Sequence, residues 1–318
     1  MTSVSIIMYH YVRPLRRTLY PGIKGRDLEE FRQQISYLKQ HSTILPFEHV
    51  VDALLNDEDL PPNSSVLTFD DGFSDHYRYV LPVLVDEGVK GAFYPPGRAV
   101  VERTLLDVHR TQFILERTPD PSAATSVLDD FVHSNSEVCE TVHAYRRRYC
   151  QKGRWDDAET IYLKRMLQTG LPDAVRSQLT KELFETFVST DEAAFAEDLY
   201  MTESQLRVMH RLGMHIGSHG YEHYWLTHRS EEEQSLDLLA SLRFLRGLGC
   251  DTDSGWSLCY PYGDHDETTI RVATNLGCSA ALTTKPRVAE LRKDAALRLP
   301  RLDTNDVPVA SPLSMAGT

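Results

Sequence analysis

Apolar positions along the chain follow two rhythms. From Ser65 onward, short unbroken apolar runs alternate with longer stretches whose apolar residues recur three or four apart, with Gly or a polar cluster between them. An unbroken run of four to eight residues suits a strand buried on both faces; the wider spacing suits a helix with one buried stripe. Val66 to Phe69 predicts a strand, the stretch to Leu84 and Val85 a helix stopped by Gly88, and Gly91 to Tyr94 the next strand. Pro82 predicts a departure from straightness in that helix. Thr202-Glu203-Ser204-Gln205 has the form of a capping box ahead of a periodic stretch ending at Gly213, after which Met214 to Ser218 reads as a strand. Ser230-Glu231-Glu232-Glu233 opens a helix with Leu238, Leu239, Leu242 and Leu245 on one face, closed by Gly247 and Gly249 before a strand at Leu258 to Tyr260. Thr268 to Gly277 leads likewise into Ser279 to Thr283, and further strands are expected at Val4 to Met8 and Leu297 to Leu299.

Repeated βα alternation at this strand count points to an α/β parallel barrel, with an open doubly wound sheet as the alternative. Between about Arg98 and Tyr200 the strand rhythm stops. Helical spacing takes over, as at Val127, Leu128, Phe131 and Val132, and at Leu179, Leu183, Phe184 and Phe187, with Pro119 to Ser122 as a loop. Residues 1–97 and 201–318 are therefore expected to form the barrel. Residues 98–200 form a helical insertion or lid, expected to pack over or beside the barrel mouth.

Composition narrows the function. The 318 residues are 41% hydrophobic and can bury a large core, while a net charge of -12 with no long basic run excludes a footprint for nucleic acid or anionic lipid. Five cysteines, an odd number without CxxC spacing, argue against both a disulfide framework and a thiolate zinc site. Met1 to Met8 carries no basic leader and no long apolar stretch, so a cytoplasmic protein without an integral membrane segment is expected. Nothing in the sequence indicates the oligomeric state.

Candidate chemistry gathers at three predicted strand ends. In Thr68-Phe69-Asp70-Asp71-Gly72 two adjacent carboxylates repel each other unless a cation or shared proton relieves them, although an Asp-Asp-Gly turn capping a helix is the simpler reading. In Ser218-His219-Gly220-Tyr221-Glu222-His223 two histidines four apart would, on one helical turn, aim at one point. Alone, such a pair is usually a solvated one. With a carboxylate it makes a facial set that leaves positions for water and a substrate oxygen, as catalytic zinc sites do. Leu258-Cys259-Tyr260-Pro261-Tyr262-Gly263 is a tight turn able to aim a backbone N–H into a barrel mouth.

In order and spacing these three segments resemble the polysaccharide deacetylase family (NodB homology, like carbohydrate esterase family 4), with its TFDDG, H-x-x-x-H and P-Y motifs. The resemblance covers roughly Val4 to Phe93 and Thr202 to Asp303 and implies a distorted (β/α)7-type barrel. It also implies that Asp70 is the general base, that Asp71, His219 and His223 hold a divalent metal, and that Tyr262 offers its backbone N–H to an oxyanion. The expected metal is Zn2+, with Co2+, Ni2+ or Mn2+ possible. The implied reaction is hydrolytic removal of an acyl group, N-acetyl foremost, from an amino sugar of a glycan or glycan precursor.

Two departures stand out. The arginine that the family often places two residues before its proline-tyrosine pair is Cys259 here, so Arg301 or Asp303, in Leu299-Pro300-Arg301-Leu302-Asp303, is the candidate to orient Asp70, with surface ion pairing as the plain alternative. The family's C-terminal catalytic histidine is absent, because the last histidine is His265. His10, in Met8-Tyr9-His10-Tyr11-Val12, follows the first strand and resembles the N-terminal histidine of poly-N-acetylglucosamine deacetylases, which makes it the candidate acid; packing of the first turn is its other reading.

Three other activities compete. One is removal of formyl from a lipid-linked amino sugar, the departures allow an inert carbohydrate-binding homologue, and a two-histidine-one-carboxylate set also serves non-haem iron oxygenases. The free neighbouring carboxylate favours hydrolysis over oxidation.

Overall fold

The segment Ser64–Asp70 is buried at all seven positions, as a parallel strand covered on both faces must be. It belongs to a computed structural model that describes residues 3–152 and 156–309. Two units emerge: one holds residues 3–16, 24–103 and 197–309, the other residues 17–23 and 104–196.

In the first unit the parallel strands are β1 (Ser3–Tyr9), β2 (Ser64–Asp70), β3 (Gly91–Tyr94), β4 (His215–Ile216), β5 (Trp256–Cys259), β6 (Cys278–Leu282) and β7 (Leu302–Asp303). Strands β1 to β4 pair consecutively, with Ile6 opposite Val66, Phe69 opposite Phe93, and Phe93 opposite Ile216. Strand β5 pairs with β6, single parallel bridges Ser218–Leu258 and Leu282–Leu299 link that pair to its neighbours, and β7 returns to β1. The ring is the distorted seven-stranded (β/α) barrel that the family resemblance implies, and it decides against the open sheet that the alternation alone allowed.

Strand periodicity places the chemistry. Val4, Ile6, Val66, Ala92, Tyr94, Cys259, Ala280 and Leu282 form one buried cluster, joined by Phe47, Val50 and Leu54 of the helix Phe47–Asn56. Ile7, Tyr9, Leu67, Phe69 and Phe93 belong to the other, packed with helix residues such as Ile35, Leu38 and Leu84. Side chains two apart share a face, so Asp70 lies on the same face as Val66 and Thr68, at the carboxyl end of its strand. That is the end where barrels of this type assemble active sites.

Both capping boxes form. Thr202 Oγ1 accepts from Gln205 N–H at 3.2 Å while Gln205 Oε1 accepts from Thr202 N–H at 2.8 Å, and Ser230 and Glu233 reciprocate in the same way before the helix Glu231–Leu248. Two expectations need correction. The helix expected to run to Val85 opens with a π turn, His76–Val80, in which Leu81 N–H reaches back to His76 O before Leu81–Asp86 continues as α-helix. Pro82 has no N–H to offer an ordinary ladder, which favours such a step. The strand expected at Leu297 to Leu299 is instead a 3-10 segment, Lys293–Arg298, and only Leu299 makes a strand-like bridge.

The second unit is helical, with Asp107–Arg117, Ser122–Ser134, Val142–Tyr149, Ala158–Arg165 and Asp173–Phe187, and contains no strand among its described residues. Phe113, Leu128, Leu163, Met166, Leu183 and Phe184 are buried in it. Arg146 pairs with Asp129 at 2.6 Å, and Tyr162 donates to the same carboxylate at 2.7 Å. Among the described residues, no helix is long and apolar enough to cross a membrane.

Candidate active site

Asp70 is buried, and Arg301, itself 1% exposed, binds it with two parallel hydrogen bonds, Nη1 to Oδ1 at 2.9 Å and Nη2 to Oδ2 at 2.7 Å. The guanidinium is fixed in turn, since Nε donates to Thr283 O at 2.9 Å and Nη1 also reaches Thr68 Oγ1 at 3.1 Å. Burial alone would raise the carboxyl pKa; Arg301, with smaller help from His219 and His10, overrides it and lowers the value to about 2. Asp70 is thus a fixed anion. Of the two candidates to orient it, Arg301 is the one in contact. Asp303 serves its own segment, accepting from Asn305 N–H at 2.8 Å as a local cap. Cys259 touches the same carboxylate, its thiol donating to Oδ2 at 3.4 Å. Burial pushes that thiol's pKa up, so it adds a weak donor and no second negative charge.

Asp71 turns away from the strand in the left-handed region, φ 73, followed by Gly72 at φ 67. A Cβ on Gly72 would also lie 2.8 Å from Pro95 Cβ, so glycine is required by both backbone and space. Asp71 Oδ1 stands 3.5 Å from His219 Nε2 and 3.4 Å from His223 Nε2, and one ligand atom from each residue lies within 4.8 Å of the others. The two imidazoles cross at 80° with centroids 4.7 Å apart. They do not share a helical turn, as the four-residue spacing suggested. Residues 217–225 are irregular, and His223 itself has φ 61. The convergence comes from a looped backbone.

The donor set fits a divalent metal. His219 Nδ1 is 2.7 Å from Cys259 O, which assigns that nitrogen the proton and leaves Nε2 as the ligand atom. Burial would lower the pKa of His219, yet Cys259, Asp71 and Asp70 together hold it well above the usual value. A buried imidazole between two carboxylates takes up a proton where a cation is wanted.

His10 lies at the same mouth, half exposed, with Nε2 3.8 Å from Asp70 Oδ2. Its backbone is tied down by His76, whose Nε2 is 2.8 Å from His10 O. Burial lowers His76 to about 4, so it is a neutral donor. Sequence reading passed over His76; its place on the apolar stripe of the π turn was the available signal. Tyr262 sits in the left-handed region at φ 60, its ring stacked on Trp225 at 4.1 Å and edge-on to His223 at 4.8 Å. His265, the last histidine of the chain, stacks on Tyr260 and bonds Gly263 O at 2.9 Å.

The sequence profile of polysaccharide deacetylases matches residues 57–138 and 180–281, more than half of the chain. The chain belongs to the polysaccharide deacetylase family. It is accordingly a carbohydrate deacetylase, a hydrolase. No curated protein matches it. Among solved structures, this deacetylase is similar to the Streptococcus pyogenes deacetylase PplD in complex with acetate, with TM-score 0.57 and 17% identity over 95% of this chain and 92% of that one. IcaB from Ammonifex degensii is similar at TM-score 0.56 and 18% identity, covering 99% and 94%. The BpsB deacetylase domain from Bordetella bronchiseptica follows at TM-score 0.53 and 16% identity, with 95% of each chain covered. At these identities the likeness speaks for the fold.

Proposed function

We propose that the protein removes an acetyl group from the nitrogen of an amino sugar, with Asp70 as general base, Asp71, His219 and His223 holding one divalent metal, and His10 as general acid. The observation that carries this reading is the juxtaposition of a fixed, buried carboxylate, Asp70, with a three-ligand set whose own carboxylate, Asp71, is the next residue at the same strand end. A zinc ion held there would supply Lewis acidity toward the amide oxygen and toward a water.

The residues divide the work as follows. Asp70 accepts a proton from the attacking water as its oxygen bonds to the acyl carbon. Arg301 keeps both carboxylate oxygens in place, so that the base does not swing toward the metal ligands. The Tyr262 N–H donates to the oxyanion, its left-handed backbone braced by the Trp225 stack. When the carbon–nitrogen bond breaks, His10 gives a proton to the leaving amine; acetate and the free amino sugar result. Acetate is the molecule named with the Streptococcus pyogenes deacetylase.

We assign substrate selection to the helical segment 98–200, and a cytoplasmic glycan precursor, nucleotide-linked or lipid-linked, as the substrate class. Within that segment, residues 104–196 have a buried core of their own. The test is product release from a panel of N-acetyl and N-formyl amino sugars, free, nucleotide-linked and lipid-linked, under anaerobic conditions with Zn2+ or Co2+. Acetate release without oxygen supports the reading. Formate alone, turnover only with oxygen and a keto acid, or no turnover with binding retained would each replace it.

A further inference from the structure

The segment between the two histidines has no secondary structure to hold it, so its shape must be set from outside. It hangs from one face of the helix Glu231–Leu248. Asp237, buried on that face, accepts two backbone hydrogen bonds, Tyr221 N–H to Oδ2 at 3.1 Å and Glu222 N–H to Oδ1 at 2.9 Å. One turn further on, Ser241 Oγ meets Ser218 Oγ at 2.8 Å, and Ser218 Oγ accepts from Gly220 N–H at 3.1 Å. Gly220 has φ 68, and a Cβ there would lie 2.8 Å from Asp237 Oδ2. The carboxylate, the glycine and the loop thus form one fitted unit. The three residues it spans, Gly220, Tyr221 and Glu222, are the ones that separate His219 from His223.

We propose that Asp237 is a positioning residue for the metal centre, setting the distance and angle between His219 and His223 by clamping the two amides between them. The proposal rests on the reading that these histidines hold the metal. A carboxylate is suited to this task because each oxygen takes one amide and both bonds are charge-assisted. An amide side chain offers one acceptor and turns a donor toward the second N–H, leaving that buried group opposed.

The experiment is Zn2+ affinity of the full chain, measured by competition with a chromophoric chelator, together with the visible spectrum of the Co2+ form. Asp237→Asn is expected to weaken Zn2+ binding about 10- to 100-fold, the usual scale for losing an outer support of a metal ligand, and to alter the Co2+ spectrum. Leu248→Ala, on the same helix and away from the loop, serves as a control for general destabilisation and should keep wild-type affinity. If Asp237→Asn does not yield folded protein, Asp237→Glu displaces the carboxylate by one methylene and is expected to weaken binding too. Unaltered Zn2+ affinity and Co2+ spectrum in either folded variant overturns the proposal, as does equal weakening in Leu248→Ala. A wild-type chain that binds no Zn2+, or keeps it in both His219→Ala and His223→Ala, refutes the metal-site reading itself.

Discussion

Arg301 meets Asp70 edge to edge, two nitrogens against two oxygens at 2.9 and 2.7 Å, in a place where neither side chain reaches solvent. A lysine brings one point charge and cannot match both oxygens. Arg301→Lys should therefore retain its metal and lose at least about tenfold in kcat through a misdirected base. Arg301→Ala should also unfold more readily, by about 3–5 kcal/mol, the scale for stranding one partner of a buried ion pair. Steady-state kinetics and denaturant melts check both; wild-type kcat in the lysine variant would show that the base needs no such orientation.

The same pair predicts how stability responds to acid. The carboxyl of Asp70 is lowered to about 2 in the folded chain against an ordinary value of 3.8. A depressed folded value contributes stability above the unfolded one, and that contribution is lost as pH falls from about 4 to about 2. Metal-free protein should lose stability across this window. In Arg301→Met the burial penalty on Asp70 is no longer offset, so its folded pKa should lie above the unfolded one and the loss of stability between about pH 4 and about pH 2 should disappear. Coincident pH–stability curves for the two proteins would contradict the assignment.

Asp70 and Asp71 are neighbours with different duties. Asp70→Asn should keep its metal and lose most turnover, because the base is gone while the ligand set stands. Asp71→Asn should lose metal as well, since Asp71 Oδ1 is the oxygen facing both imidazoles. Metal analysis of the two purified variants checks the division; equal metal loss in both would abolish it.

His10→Gln tests the acid. Metal content should be unchanged, kcat should fall by about 100-fold, and the alkaline limb of the pH–rate profile should flatten, because that limb reports loss of the proton the amine requires. Near-normal turnover with the limb intact would move the role to a water molecule.

Much of this site could be read before any coordinates. Strand rhythm put Asp70 at the end of a buried strand. The family resemblance grouped Asp71, His219 and His223, which the fold brings within ligand distance of one another. Sequence failed where geometry depends on long-range contact. Four-residue spacing suggested a helical turn for the histidines, but a loop clamped from Asp237 shapes the segment. Arg301 stood beside Asp303 as an equal candidate until the ring closed, because 231 residues separate it from its partner and no local pattern spans that distance. The strand expected near Leu299 was drawn too long, since apolar residues at Leu297 and Leu299 satisfy a 3-10 turn as well as a strand.

Three of the residues at this centre, Asp71, His223 and Tyr262, sit in the left-handed backbone region that side chains ordinarily avoid. Each such position costs on the order of 1–2 kcal/mol relative to a relaxed residue. Glycine at any of them would relieve the backbone while deleting a ligand or disturbing the turn. Mutational drift away from catalysis is therefore energetically downhill for this barrel: an idle descendant that still binds sugar would be the sturdier molecule. Selection for turnover must hold the chain above that slope.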